Sequence, residues 1–318
     1  MKKPCYPIIA GPTASGKSAL AVEFAKQTNG EVVSVDSMQI YDTVIVGTAR
    51  PTAEEMQGVP HHMVGVVPLC TSYSVAQYVK DANKAIDKIT QNGHLPILCG
   101  GTGLYLQSLI ENITFEQEAS ADYALRDALK NRFAKEGGIA LLQELSQFDP
   151  ITAAKLHPND AGRIIRALEV YHTTGKPIST QVADSHNQEA AFDTCLMVLD
   201  FHDREKLYDR IHRRVDLMVQ NGLLDEAKTL LSYPKTPTVI QAIGYKELRP
   251  YFEGTLTLDE ALDNLKKSTR HYAKRQLSWF RRMPNVQFLY VDDYLSLQDL
   301  TNAALKIWQE NIQEGVTV

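Results

Sequence analysis

Gly11, Pro12, Thr13, Ala14, Ser15, Gly16, Lys17 and Ser18 fit the spacing G-x-x-x-x-G-K-[ST], which points to phosphate chemistry. Glycines in such a loop let the backbone aim successive N–H groups at one point. The dipole of a following helix adds positive potential there, and Lys17 adds a full charge. Ser18 would place a hydroxyl on a Mg²⁺ ion bridging the phosphates. Context gives the motif its meaning. An apolar run over 6–10 feeds straight into the loop, and a helical pattern over 18–27 follows it. The arrangement predicts a site for a di- or triphosphate.

Other groups could work on that anion. Asp36 ends a second β-branched run, where carboxyl ends of strands gather ligands in open α/β sheets. It could ligate Mg²⁺ through water, accept a proton from an incoming nucleophile, or merely cap the N-terminus of a helix. The third strand pattern, 95–99, runs into Gly100-Gly101-Thr102-Gly103 and carries no clear metal-binding acid. That favours holding a pyrophosphate over hydrolysing ATP, and Thr102 adds a hydroxyl beside a second helix start. Arg210 and Arg214 are four apart on one helical face and could clamp a leaving pyrophosphate.

Basic residues also cluster away from the loop. Over 258–282 a helix carries Lys267, Arg270, Lys274 and Arg281 at spacings of three, four and seven, with Leu265, Tyr272 and Trp279 recurring at seven. In a chain with 33 Lys and Arg against 38 Asp and Glu, net −5, such a stripe suggests a phosphate-backbone contact with rings for base stacking. A solvated, salt-bridged face is the competing reading. Arg163 and Arg166, with Arg126 and Lys130, form a second basic set.

Strand and helix patterns alternate up to about residue 115, and 121–175 reads as helical. Strand character resumes over 192–200, followed by helices over roughly 203–231 and 258–282 and a strand over 286–291. The expected fold is α/β, a P-loop NTPase-like doubly wound parallel sheet with a small all-helical insertion domain. The core spans 1–120 and 192–318, and the insertion spans 121–191. No segment reaches the roughly 20 apolar residues of a membrane span. Four scattered cysteines, Cys5, Cys70, Cys99 and Cys195, suit a reducing cytoplasm and argue against a zinc site or disulfide framework.

These segments together resemble the tRNA dimethylallyltransferase (tRNA isopentenyltransferase) family, in its bacterial form without a zinc finger. The matching stretches, in family order, are the loop 11–18, Asp36-Ser37-Met38-Gln39-Ile40-Tyr41, Gly47-Thr48-Ala49-Arg50-Pro51 and Gly58-Val59-Pro60-His61-His62. Next come Gly100-Gly101-Thr102-Gly103-Leu104-Tyr105 and Arg163-Ile164-Ile165-Arg166-Ala167-Leu168-Glu169-Val170. Gln241-Ala242-Ile243-Gly244-Tyr245-Lys246-Glu247 and Arg270-His271-Tyr272-Ala273-Lys274-Arg275-Gln276 complete the set, with Trp279-Phe280 behind them. The chain departs from the family pattern at Asp42-Thr43-Val44, Arg50 and Gly162.

The resemblance implies transfer of a dimethylallyl group from its diphosphate to N6 of the adenosine just 3′ of a tRNA anticodon. The loop 11–18 would then hold the donor's diphosphate, and Asp36 would take the amine proton. Thr102 with Arg210 or Arg214 would stabilise the departing pyrophosphate. Asp36, Ser37, Met38, Gln39, Thr102, Arg126, Gly162, Arg163, Ile164, Ile165, Arg166, Gln241, Gly244, Lys246, Lys274, Arg275, Trp279 and Arg281 would touch the anticodon stem-loop. A single copy and no membrane are expected. A small-molecule kinase, an adenine-nucleotide prenyltransferase and a nucleotide-gated RNA-binding module share the loop and stay open here. The basic helix and the insertion favour a macromolecular acceptor.

Overall fold

The computed structural model describes residues 3–113, 122–185, 190–233 and 239–314. It divides into two units, Met1–Ile110 with Ala191–Val318, and Glu111–Ala190. The border expected between 120 and 121 lies outside the described residues.

The first unit opens with β1 (Cys5–Ala10), α1 (Lys17–Thr28), β2 (Gly30–Val35), α2 (Ala53–Met56), β3 (His61–His62), α3 (Val75–Gln91), β4 (Leu95–Gly100) and α4 (Gly103–Ile110). The second unit holds α5 (Tyr123–Ser146), α6 (Pro150–Ala153), α7 (Ala161–Thr174) and α8 (Ile178–Ser185). The chain then completes the first with β5 (Asp193–Asp200), α9 (Arg204–Gln220), α10 (Leu223–Ser232), α11 (Arg249–Phe252), α12 (Leu258–Phe280), β6 (Gln287–Tyr290) and α13 (Leu297–Glu314).

The strands form one sheet in the order β3-β2-β4-β1-β5-β6, and every pair is parallel. A parallel sheet needs apolar cover on both faces, and alternate strand residues provide it. Ile8, Val33, Leu98, Leu196 and Val198 pack against α3, α4, α10 and α12, whereas Ile9, Val32, Ile97, Met197 and Leu199 pack against α1 and α13. The first unit is thus doubly wound α/β, as expected. The chain leaves β1 toward β2 and leaves β4 toward β5 on the other side. A crevice therefore opens between the carboxyl ends of β1 and β4, where such folds bind ligands.

The helices start and stop for local reasons. Ser74 caps α3, its hydroxyl accepting from the Gln77 N–H at 3.1 Å. Thr257 and Glu260 form a reciprocal capping box that fixes the start of α12. The expected helix over 203–231 is two helices, because Gly222 turns left-handed at φ 94° and caps α10. The helices of the second unit enclose their own core of Leu129, Leu141, Leu145, Ile164, Ile165 and Leu168. Gly137, at φ 80°, breaks α5 within the stretch that reads as helical.

Candidate active site

The phosphate loop joins β1 to α1. Gly16 sits at φ 96°, a conformation that favours glycine, and Ala14 shares the left-handed region at φ 63°. The Ser15 N–H donates to the Pro12 carbonyl at 3.3 Å and closes the turn. Gly16 caps α1 without a side-chain hydrogen bond, and no acid occupies the first turn of that helix. Its leading N–H groups are therefore open to an anion. The Ser15 hydroxyl is buried without a hydrogen-bond partner among the described residues. The Ser18 hydroxyl lies on the exposed first turn of α1.

Lys17 turns back over the loop, its Nζ donating to the Pro12 carbonyl at 3.4 Å. Burial, reinforced by the positive field of Arg214, holds its amine below the ordinary lysine value, while Asp36 pulls the other way. Arg214 is likewise lowered by burial and supported by Asp36 and Glu55. Arg210, one turn earlier on α9, donates from Nε to the Ala14 carbonyl at 2.8 Å. Both arginines thus belong to the loop's surroundings, Arg210 at its rim and Arg214 in the field of Asp36. A cavity of about 600 Å³ opens beside the loop, lined by Ser15, Gly16, Arg210, Arg213, Phe201 and Leu300 among others.

Asp36 follows β2. Its Oδ1 accepts from the N–H groups of Met38 at 2.8 Å and Gln39 at 3.1 Å. No helix starts here, so the expected helix cap is instead the cap of a turn, and it uses one oxygen. Among the described residues none donates to Oδ2. Thr102 connects this turn to the loop after β4. Its Oγ1 accepts from the Ser37 N–H at 3.1 Å, and its own N–H donates to the Val35 carbonyl at 3.2 Å. Tyr272 of α12 lies beside the Thr102 side chain, and burial pushes the Tyr272 hydroxyl up to about 12. Pro12, Thr13, Asp36, Thr102, Arg210 and Arg214 thus gather around Gly11, Gly16 and Lys17.

The residues expected to touch RNA divide into exposed and committed groups. Lys274 and Arg275 are exposed on α12, with the Arg275 guanidinium 5.6 Å over the Tyr272 ring. Arg281 is ion-paired with the buried Asp200 at 2.7 Å. Trp279 is half-buried against Gly103, and Arg282 lies 5.7 Å over its ring. The Gln39 amide faces inward and donates to the carbonyls of Thr48 and Ala49, so it braces a loop. Gly244 is buried and donates its N–H to Glu247, Lys246 lies 3.7 Å from the same carboxylate, and Gln241 is exposed. In the second unit Gly162 and Arg163 are exposed on α7, but Ile164 and Ile165 are core side chains that hold this helix. Arg126 and Arg166 both bind the buried Glu169, at 2.8 and 3.0 Å.

Three residues escaped the sequence reading. Tyr272 reads as part of a ring stripe, Gln276 enters only as the last residue of a family-matching stretch with no role, and Glu226 carries no signal. The Glu226 carboxylate accepts from the consecutive N–H groups of Ile45, Val46 and Gly47 at 2.7–2.9 Å, and from the Tyr245 hydroxyl at 2.8 Å. It fixes the loop carrying Thr48 and Arg50. Among the described residues no group of three His, Cys, Asp or Glu side chains is placed to hold a metal ion, and no helix is long and apolar enough to cross a membrane.

Comparison with known proteins identifies the family. Residues 39–283 match the family model described as IPP transferase. A tRNA dimethylallyltransferase of Thermoanaerobacter sp. (strain X514) is 45% identical over 303 residues, 94% of this chain and 96% of that protein. One from Caldanaerobacter subterraneus subsp. tengcongensis is 46% identical over 297 residues, covering 92% and 94%. The crystal structure of the full-length tRNA isopentenylpyrophosphate transferase of Bacillus halodurans superposes with a TM-score of 0.71 at 40% identity, covering 98% of this chain and 99% of that one. A eukaryotic dimethylallyltransferase crystallised acting on tRNA gives 0.76 at 31% identity, covering 91% and 74%. With its phosphate loop, its Asp36–Thr102 turn and a family match over most of its length, this chain belongs to the IPP transferase family.

Proposed function

We propose that this chain transfers a dimethylallyl group from dimethylallyl diphosphate to N6 of the adenosine 3′-adjacent to the anticodon in tRNA, releasing pyrophosphate. One observation carries the proposal. A carboxylate, Asp36, is pinned at Oδ1 and open at Oδ2 beside a phosphate loop whose Lys17 and Arg214 share its field. Base and anion cradle adjoin, as transfer from a diphosphate to an amine requires. The names of the relatives support tRNA as the acceptor.

The loop amides, Lys17, Arg210 and Arg214 hold the donor's diphosphate. As the allylic C–O bond breaks, its electron pair goes to the leaving oxygen, and negative charge builds where these cations and N–H groups converge. The N6 lone pair forms the new C–N bond, and Asp36 Oδ2 takes the amine proton. The adenine must leave its stack to reach this point. Thr102, fixed by the Ser37 N–H, sets a hydroxyl between the Asp36 turn and the diphosphate. Ser18, an exposed hydroxyl at the end of the loop, would hold a Mg²⁺ ion, which would supply charge neutralisation for the leaving group.

Lys274, Arg275 and Trp279 on α12, with Ser37 and Met38, would meet the RNA, and Arg163 and Arg166 would extend the contact on the helical unit. Four free cysteines suit the cytoplasm. The test is incubation with unmodified tRNA, dimethylallyl diphosphate and Mg²⁺, followed by nucleoside analysis. Prenylated adenosine 3′ of the anticodon is expected. ATP turnover with a small metabolite and no tRNA product would overturn the proposal in favour of a kinase.

A further inference from the structure

The β1–β4 ladder ends at the pair Ala10 and Gly100. Beyond it the chains diverge, one into the phosphate loop and the other into Gly101 and Thr102, and the crevice between them receives the ligand. A side chain from α12 spans this gap. Gln276 Oε1 accepts from the Thr13 N–H at 2.9 Å, and Gln276 Nε2 donates to the Gly101 carbonyl at 2.9 Å. The residue is 5% exposed. A primary amide pairs one donor and one acceptor as a peptide unit does. Gln276 therefore acts as a surrogate rung where the strands can no longer pair directly. The fit is tight, because a Cβ on Gly101 would overlap Gln276 Nε2.

We infer that Gln276 is a positioning residue for the donor, setting the separation of the two strand exits and hence the width of the phosphate crevice. This inference rests on the transfer reaction proposed above. Gln276 does not itself reach the diphosphate. It acts through Thr13, second residue after the loop's first glycine, and through Gly101, the neighbour of Thr102. Buried polar groups left without partners draw in water or shift to find new ones. A crevice deprived of its rung would hold the diphosphate in a broader set of positions, which costs affinity for the donor.

Gln276→Met keeps length and volume and removes both hydrogen bonds. Gln276→Glu keeps the acceptor for Thr13 N–H and sets a carboxylate oxygen against the Gly101 carbonyl. Gly101→Ala disturbs the same bridge from its other end. Steady-state prenylation of unmodified tRNA should show KM for dimethylallyl diphosphate raised about tenfold in Gln276→Met, the scale of one lost buried hydrogen-bond pair, with KM for tRNA unchanged. Gln276→Glu should be worse. The Gly101→Ala/Gln276→Met double variant should cost less than the sum of its single changes, because both break one bridge. A donor KM within about twofold of wild type in folded Gln276→Met, or strict additivity in the double variant, would overturn the inference. Should Gln276→Met fail to fold, Gly101→Ala gives the same readout. Wild-type protein inactive with tRNA and donor would instead sink the transfer reaction itself, so the two failures are distinguishable.

Discussion

Replacing Asp36 by Asn separates its two roles, because the new side chain keeps an oxygen where Oδ1 was. The Met38 and Gln39 N–H groups, at 2.8 and 3.1 Å, retain an acceptor, though a neutral one. That exchange weakens the turn by about 1 kcal/mol. Loss of a positioned base slows an amine substitution about 10²- to 10⁴-fold, or roughly 3–5 kcal/mol of barrier. The kinetic effect should therefore exceed the structural one severalfold. The electrostatics add a sign. Asp36 is the anion that offsets Lys17 and Arg214, so its neutralisation leaves the cradle more positive. Donor KM and the inhibition constant of pyrophosphate should stay level or fall while kcat collapses. Steady-state prenylation with pyrophosphate inhibition and a melting curve measures all three. A kcat within about threefold of wild type, in a protein that melts normally, would remove Asp36 as the proton acceptor.

Glu226→Ala should destabilise the fold by about 3 kcal/mol, since it strands three N–H groups and the Tyr245 hydroxyl. Calorimetry should show Tm lowered by roughly 5 °C or more, and an unchanged Tm would refute the anchoring role. Burial pushes the Glu31 carboxyl up, but hydrogen bonds from His62 and His94, both at 2.6 Å, outweigh it and hold it below its ordinary 4.5. Stability from this lowered carboxyl is in place above the ordinary value and lost as pH falls below it. In denaturant titrations the gap between wild type and Glu31→Gln should thus be full at pH 6 and shrink toward pH 4. A gap independent of pH would contradict this. Lys274→Ala should weaken tRNA binding and reduce the salt slope by about one, whereas an unaltered slope would mean that the exposed Lys274 faces no phosphate.

The legible parts of the sequence were those in which neighbouring residues serve one another. The loop 11–18, the apolar strands and the period of α3 are local patterns, and the structure reproduces them. β3 has two residues, too few for any period, and its place is set by pairing Val32 with His61. α9 and α10 read as one helix because the residues flanking Gly222 keep the same apolar spacing. Composition found the basic stripe on α12 but not its direction. Arg270 is drawn toward His212 and lies over Tyr208, Lys266 pairs with Asp216, and Arg281 pairs with Asp200, which leaves Lys267 and Lys274 exposed without a salt bridge. Gln276 is a neutral residue 263 positions from Thr13. Nothing near it in the chain could have announced a bridge that exists only because α12 crosses the ends of β1 and β4.

That crossing explains how one site can serve two unlike substrates. The anion half stands on β1 and α1, with Lys17 at the start of the helix. The half proposed to accept the proton stands on the turn after β2, whose Ser37 N–H reaches Thr102 beyond β4. The two halves adjoin at the sheet's carboxyl edge, yet no strand ladder ties β1 to β4 past Ala10 and Gly100. Two α12 side chains one turn apart face the gap: Tyr272 lies beside Thr102, and Gln276 joins Thr13 to Gly101. The same helix presents Lys274 and Arg275 to solvent between them. In the proposed reaction, an RNA held on that outer face would be in register with base and cradle through hydrogen-bonded parts. Alignment of amine, allylic carbon and leaving oxygen is then fixed before the bond begins to break, which is where positioning lowers a barrier most.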